Sequence, residues 1–312
     1  MKPLKSFFTV TYIIAGFLLP TSCSWAKESN DSASEKVFVG STPGDSLIKA
    51  MLSIPNEINV DFIRWELKLN NTNEKQSSFL LNIVFGESQP NTLGFKEEHK
   101  KTFEGEYIGS ENEIANHQPR LYHLKSSQFH QAISMVKLND HLLHVLTPQN
   151  QLMVGNGGYS YTLNYKGPIK DQDFSLTTYS AFTNGSTLQT IYEGRTPCQD
   201  FAAEHRMNVS SSCFKLKWRL ILNRDPASHQ PTTYIMRKVV DNRPRDVEGK
   251  WTVIKGVSGH PNALIIQLDP EMPDKTISLL AGDDNILFFL HKDMHLFVGN
   301  EDFSFTLNKR IK

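Results

Sequence analysis

Two cysteines are the side chains of this sequence best placed to do chemistry together. Cys198 and Cys213 are fifteen residues apart in a chain of 312 residues that holds only three cysteines. They could form a disulfide bridge, remain two separate buried thiols, or act as thiolate ligands of a metal ion. No histidine pair accompanies them at the spacing of a metal site, so the bridge is the favoured interpretation of the three.

Histidine and aspartate pairs offer two further kinds of chemistry. His141 and His144 lie in the sequence HLLH, and His291 and His295 lie in HKDMH. Residues three apart on a strand point to opposite faces, so the first pair cannot bind one ion unless it is helical. The second pair falls in a predicted hairpin turn. Asp283–Asp284 could act as general acid and base, but turns commonly use Asp for their own geometry. We predict no metal ligand and no catalytic residue here.

The motifs and the charge balance narrow the function classes. The sequence has no G-x-S-x-G nucleophile elbow, no phosphate-binding P-loop, and no strand followed by a glycine-rich loop and a helix. It carries 33 basic and 33 acidic residues, without the basic run that nucleic-acid binders show. We therefore predict a protein that is not an enzyme and does not bind nucleic acid.

The first 26 residues have the pattern of an export signal. Basic residues precede an apolar segment at 7–19, and small residues follow up to Ala26, which is typical of a signal peptide. The apolar segment is shorter than the ~20 residues of a membrane-spanning helix. Cys23 follows Thr-Ser as in a lipoprotein cleavage site, so the alternatives are removal of residues 1–26 or lipidation of Cys23. The predicted location is the periplasm, or the outer membrane if Cys23 is lipidated; membrane association depends on that lipid.

The rest of the chain is an internal duplication. Residues 105–164 align with 249–308 without a gap, at a constant offset of 144, and fifteen of these sixty positions are identical. If the alignment allows loops of different length, the similarity extends upstream, where VFVGSTPGD in the first repeat matches IYEGRTPCQD in the second. We predict two repeats, at 37–166 and 189–312, joined by a polar, turn-rich linker at 167–188.

Each repeat has the apolar period of β-strands. Apolar residues occupy every second position from Leu216 to Leu222, and in FSFTL the aromatic residues alternate with Ser304 and Thr306. A period of two indicates a strand with one buried face and one wet face. The second repeat contains eight such segments, of which HLFVG and FSFTL are the last two. An antiparallel meander of eight strands closes most simply into a barrel, so the predicted fold class is all-β, with two tandem small antiparallel β-barrels.

The candidates for the barrel interiors are six aromatic residues: Trp65, Trp218, Tyr159, Tyr161, Phe303 and Phe305. An eight-stranded barrel has room either for packed side chains or for one small ligand. The cysteines belong to the second repeat alone, because Cys198 aligns with Gly44 and Cys213 aligns with Val60. Both cysteines are present in the second repeat and both are absent from the first, which favours a Cys198–Cys213 bridge. An exported protein could form such a bridge in an oxidising compartment.

The order of the motifs resembles that of a known family. The segments GRTPC, VEGKW, an apolar hairpin and NEDFSFTLN follow one another in the second repeat, and variants of them occur in the first. This order resembles the N-terminal domain of NlpE-type envelope lipoproteins, which are linked to copper homeostasis and surface-stress signalling in Gram-negative bacteria. The resemblance implies a small lipocalin-like β-barrel for each repeat and makes copper a candidate ligand. The family's C-x-x-C turn lacks its second cysteine here, because residues 199–201 are Gln, Asp and Phe.

Two functional hypotheses follow. The first is a non-enzymatic exported binding or sensor module of the bacterial envelope, linked through the resemblance to envelope stress or copper homeostasis, whose partner is an envelope protein or a small apolar ligand. The second is a structural or scaffold protein with solid barrels that binds a protein partner through its outer surface. The barrel interior discriminates them: if Trp65, Trp218, Phe303 and Phe305 pack against one another, no room remains for a ligand.

Overall fold

The computed structural model describes residues 34–72, 76–109, 120–169, 178–179, 187–240, 243–257 and 260–310. The first repeat contains β1 (Ser34–Pro43), α1 (Ser46–Met51), β2 (Phe62–Thr72), β3 (Gln76–Gly86), β4 (His99–Gly109), β5 (Arg120–Lys125), β6 (Ile133–Asn139), β7 (Leu142–Val145) and β8 (Thr162–Tyr165). The second contains β9 (Gln189–Thr196), α2 (Gln199–Glu204), β10 (Leu216–Arg224), β11 (Pro231–Val240), β12 (Arg243–Val257), β13 (His260–Leu268), β14 (Ile277–Ala281), β15 (Ile286–Leu290) and β16 (Thr306–Lys309). The predicted signal peptide at 1–26 and Cys23 lie outside the described residues.

The strands of each repeat close into an antiparallel barrel. Strands β1 to β8 pair in chain order and β8 returns to β1, while β9 to β16 do the same in the second repeat. This confirms the all-β class and the two tandem barrels. Both barrels lie within one compact unit of the chain. Neither helix within the described ranges is long and apolar enough to cross a membrane.

The G-x-T-P motif marks the place where each barrel closes. Gly194 on β9 approaches β16 so closely that a Cβ would lie 2.4 Å from the carbonyl oxygen of Thr306, so only glycine fits. Two residues later, Thr196 Oγ1 accepts a hydrogen bond of 2.9 Å from the buried indole Nε1 of Trp218. The first barrel repeats this arrangement with Gly40, Thr42 and Trp65.

A short helix after the first strand completes each core. Asp45 caps α1 by accepting hydrogen bonds from the backbone N–H groups of Leu47 and Ile48, at 3.0 and 3.1 Å, which satisfies two of the donors that a helix start leaves open. Ile48 then packs in the first core, and Phe201 of α2 packs in the second. The period-two pattern of the strands did not predict either helix.

Two segments predicted as strands differ from the observed fold. HLFVG at 295–299 forms only an isolated bridge, between Leu290 and Leu296, and FSFTL joins the sheet only from Thr306 onwards. The eighth strand of the second barrel is β9 instead. Apolar residues of the 291–305 loop, such as Phe297, are buried in the core. A buried loop without strand hydrogen bonds therefore shows the same pattern of apolar residues as a buried strand.

Both barrel interiors are filled by side chains. Trp65 is 1% exposed and packs with Tyr161 in the first core. In the second core the ring of Trp218 lies 5.0 Å from that of Phe201, and Phe305 belongs to the same cluster. Four of the six predicted interior residues therefore lie in the cores. Dense packing of this kind leaves the barrels solid.

A third apolar cluster joins the two barrels. It combines Val136, Leu142 and Leu152 of the first repeat with Ile265 and Phe288 of the second, together with their neighbours. Strand β15, with the sequence ILFFL, is buried at all five positions, because one face lies in its own barrel and the other faces the partner barrel. A strand buried on both faces does not show the alternation of apolar and polar residues.

Candidate functional site

Pairs of equivalent residues meet where the barrels touch. The hydroxyl oxygens of Ser160 and Ser304 lie 2.5 Å apart, and those of Thr162 and Thr306 lie 3.0 Å apart; both pairs are separated by 144 residues, the offset of the repeat. Ser304 and Thr306 are therefore 6% and 1% exposed, and the prediction of a wet face there is wrong. The first barrel covers that face.

The flanking contacts are reciprocal. The backbone N–H of Gly155 donates to Asn308 Oδ1 at 2.7 Å, and the equivalent N–H of Gly299 donates to Asn164 Oδ1 at 2.8 Å. An interface in which each side uses the same patch is isologous, as in a twofold dimer. The segments 154–164 and 298–308 are the most similar parts of the repeats because both halves of this interface need the same residues.

The interface includes a buried histidine. His144 Nδ1 lies 2.9 Å from Thr162 Oγ1, and Nε2 lies 3.0 Å from the carbonyl oxygen of Met153. A carbonyl only accepts, so Nε2 carries the proton and Nδ1 accepts from the threonine hydroxyl. Burial lowers the pKa of His144 to about 4. The imidazole is thus uncharged, and it ends the chain of hydrogen-bonded hydroxyls at the interface.

The other three candidate histidines lie around one small cavity. His291 contacts Glu204 and stacks on Phe297, while His295 Nδ1 is 3.0 Å from Asp293. His141, His291 and His295 line a cavity of about 140 Å³. Within the described ranges, no three or more His, Cys, Asp or Glu side chains come together in a way that could hold a metal ion.

The predicted disulfide is confirmed. Cys198 and Cys213 are bonded, with their Cα atoms 5.8 Å apart, and both are buried in the second core. In the first barrel, a Cβ on Gly44 would lie 2.4 Å from Val60 Cγ1. A direct contact between valine and glycine therefore takes the place that the bridge has in the second barrel.

The two remaining aromatic candidates lie outside the cores, contrary to the prediction. Tyr159 and Phe303 are equivalent residues that stack on each other, with ring centroids 6.2 Å apart and planes 8° apart. Tyr159 also stacks on Phe62 at 4.9 Å, and Phe62 stacks on Phe95 at 4.2 Å. Both residues precede the last strand of their barrel, and their rings pack on each other instead of on a barrel core.

Beside this aromatic stack lies a cleft of about 1380 Å³ between the barrels. The first barrel contributes residues 88–93, in the β3–β4 connection, and the turn at 156–159. The second contributes the loop at 208–214, the start of β10 and the start of β12. We call this space the inter-barrel cleft. Its basic lining residues are Arg195, Lys215, Lys217, Arg243 and Arg245.

The basic residues of the inter-barrel cleft have no acidic partner within ion-pair distance among the described side chains. The two acidic residues of the lining are already engaged. Glu193 is within 3.8 Å of Arg219 and 3.6 Å of Arg310, and Asp61 Oδ2 accepts two hydrogen bonds of 2.8 Å from Ser88. The excess charge of the cleft is therefore positive.

Strand register brings like charges together. Arg195 on β9 is directly opposite Lys217 on β10, and Lys215 lies two residues earlier, which is the same face of the strand. Burial, and then the charges of Arg195 and Lys217, lower the pKa of Lys215. Like charges directly opposite each other destabilise a sheet, so this arrangement costs stability in the unliganded protein.

One difference between the repeats contributes directly to this unbalanced charge. Trp65 and Trp218 occupy the same register position, so Lys217 is the equivalent of Arg64. Arg64 Nη2 forms a 2.9 Å ion pair with Asp302 of the other barrel. The 144-residue offset makes Gly158 the equivalent of Asp302. By the internal symmetry, the position that would face Lys217 is therefore a glycine, whereas its counterpart Arg64 pairs with a carboxylate.

Sequence reasoning missed this site. The five basic residues are distributed over three separate segments, and each segment taken alone shows isolated charges on strands. One signal was present: the aligned turns GNGG at 155–158 and GNED at 299–302 differ by two carboxylates. No protein-family model, no curated protein and no solved structure matches this chain, so the NlpE-type resemblance stays a prediction.

Proposed function

We propose that this protein is a non-enzymatic binding module that holds its ligand between its barrels rather than inside them. The packed barrel interiors carry this proposal, because Trp65 and Trp218 each lie in a dense core. A ligand therefore has to bind outside the sheets. The inter-barrel cleft offers it a concave, polar surface with unpaired positive charge. This agrees with the hypothesis of solid barrels that bind a partner at their surface.

The composition of the cleft supports binding rather than catalysis. Among the described residues that line it, there is no histidine and no free cysteine, since Cys213 is in the disulfide. These are the side chains that most often act as general base or nucleophile. Copper binding through Cys198 would first require reduction of the bridge, because the thiolate is the metal ligand.

The proposal includes export to the bacterial envelope and a role in its surface stress. Both rest on the N-terminal sequence pattern and on the NlpE-type resemblance. A binding module with two packed barrels and a charged cleft beside their interface suits a sensor or scaffold, which needs a specific ligand and no turnover.

Native mass spectrometry of the full protein from the envelope of its host tests the binding proposal. We expect additional mass that survives gentle ionisation and is lost on unfolding. The variant Arg195→Glu/Lys217→Glu should lose that mass, while the distant control Lys255→Glu should retain it. A bare polypeptide mass for the wild type, or equal retention in all three proteins, would contradict binding in the cleft.

A further inference from the structure

The chemistry of the inter-barrel cleft specifies its ligand further. Positive charge in a two-walled cleft attracts anions, since low-dielectric walls concentrate the field. Here the charge also lowers sheet stability, because Arg195 and Lys217 are directly opposite each other. A negative ligand relieves that repulsion, so the cleft is complementary to an anion.

The basic residues are too widely spread for one small anion. Lys217 and Arg195 are neighbours across one strand spacing, about 5 Å. Arg243 and Arg245 lie on β12, which is separated from β10 by β11, so they are roughly 10 Å from Lys217 across the sheet. A single phosphate or carboxylate group cannot pair with all five basic residues at once. The ligand has to carry several negative charges along an extended chain.

Two features favour a polypeptide as that chain. Phe214 is 52% exposed in the lining, and Lys215 Nζ lies 4.7 Å from its ring centroid, so an apolar contact lies beside a cation. Asp61 and Glu193 also face the cleft. They interrupt the positive surface, which disfavours a nucleic acid or sulfated glycan with continuous negative charge, whereas a peptide carries its charge only on separate side chains.

Resting on the proposed function, we infer that the inter-barrel cleft binds an acidic peptide segment of a partner protein. Arg195, Lys215 and Lys217 pair with its carboxylates, and Phe214 contacts an apolar side chain between them. Gly158 is the specificity-determining position, because an aspartate there would supply the counter-charge that Asp302 gives to Arg64 in the other half of the interface.

Substitution of Gly158 tests this directly. A Cβ at Gly158 would lie 3.6 Å from Arg195 Cζ and 3.2 Å from Asn156 Oδ1, so a side chain fits with a small adjustment. Gly158→Asp adds one negative charge to the cleft without removing a basic residue, and Gly158→Asn is its uncharged control. The probe is a short fluorescein-labelled peptide of alternating Glu and Leu, measured by fluorescence anisotropy with the full-length protein.

We expect Gly158→Asp to weaken peptide binding about tenfold, as for the loss of one charge-assisted hydrogen bond, and Gly158→Asn to leave it nearly unchanged. Lys217→Gln should also weaken it, while Lys255→Gln should not. Equal effects of Asp and Asn at 158, or no binding of the peptide, would overturn the inference.

Labelled oligothymidylate and heparin fragments are measured in parallel. If either binds more tightly than the peptide, with the same dependence on residue 158, the peptide assignment fails while the proposed cleft function stands. The proposed function is contradicted separately, by native mass spectra that show no cleft-dependent ligand. The two experiments therefore test the proposed function and the peptide assignment separately.

Discussion

Thr196 and Trp218 illustrate how single side chains join the first two strands of a barrel. The Trp218 indole N–H is buried and has the Thr196 hydroxyl as its hydrogen-bond partner. Thr42 and Trp65 form the same bond in the first barrel. The shared T-P and W positions of the two repeats therefore mark a hydrogen bond between the first two strands, and neither residue needs a catalytic role to explain its recurrence.

Thr196→Val removes this acceptor while keeping the shape of the side chain. Because a buried donor left without a partner costs about 1–3 kcal/mol, we expect the free energy of unfolding to fall by that amount in urea titrations. Thr196→Ser keeps a hydroxyl and serves as the control. Equal stability of the valine variant and the wild type would show that the bond is not needed.

His144 makes the folded protein sensitive to acid. Its pKa is lowered from 6.5 to about 4 by burial, so between these values the unfolded chain binds the proton and the folded protein does not. Stability is therefore fully present above pH 6.5 and falls as the pH decreases, by about 3 kcal/mol once pH 4 is passed. Urea midpoints across this range should show the loss in the wild type.

The variant His144→Gln provides the comparison. Its amide can donate to the carbonyl of Met153 and accept from Thr162 without titrating, so its acid-dependent loss should be smaller. His205, whose pKa burial also lowers to about 4, is present in both proteins and accounts for part of the remaining slope. Identical pH profiles would exclude His144 as a source of the sensitivity.

At the scale of elements, the second barrel differs from the first chiefly in its disulfide. The bridge links the start of α2 to the residues before β10. The first barrel connects the equivalent segments through the contact between Gly44 and Val60. Local stability should thus respond to reduction in one barrel only.

Cys198→Ala/Cys213→Ala should destabilise the second barrel by about 3 kcal/mol, the value typical for a bridge that closes a loop of this length. Hydrogen exchange followed by mass spectrometry distinguishes the barrels. We expect faster exchange in β9 and α2 and nearly unchanged exchange in β1 and α1. Equal acceleration in both would indicate that the bridge acts on the whole molecule.

The strands show which elements sequence patterns can predict. Strand β10 alternates from Leu216 onwards and was predicted, because one face meets the core and the other meets water. HLFVG was wrongly predicted as a strand, since a buried loop and a buried strand have the same apolar content. The inter-barrel cleft could not be predicted in this way, because Arg195 and Arg245 line one cleft only through the pairing of β9 to β12 and the packing of the second barrel on the first.

At the scale of the whole molecule, the two barrels behave as the halves of a dimer joined in one chain. The interface hydroxyls of Ser160 and Ser304 contact each other directly, and an apolar cluster extends the contact. The inter-barrel cleft lies beside this interface, so its shape depends on the barrels holding a fixed orientation.

A double-mutant cycle on Ser160→Ala and Ser304→Ala tests that coupling. Each single change leaves the other hydroxyl short of a partner, so the double variant should lose less stability than the sum of the two single losses, by about 0.5–1.5 kcal/mol. Urea unfolding of the four proteins gives the coupling. Strict additivity would mean that the two hydroxyls do not interact in solution.

The pairing of equivalent residues also bears on how the chain could diversify. In a homodimer encoded by one gene, every substitution appears twice, on both sides of the axis. Once two copies are fused, each side can mutate alone, which is how Asp302 can coexist with Gly158 and Cys198 with Gly44. In a fused chain, one half of such a symmetric contact can therefore change its charge or its covalent bonds while the other half keeps them.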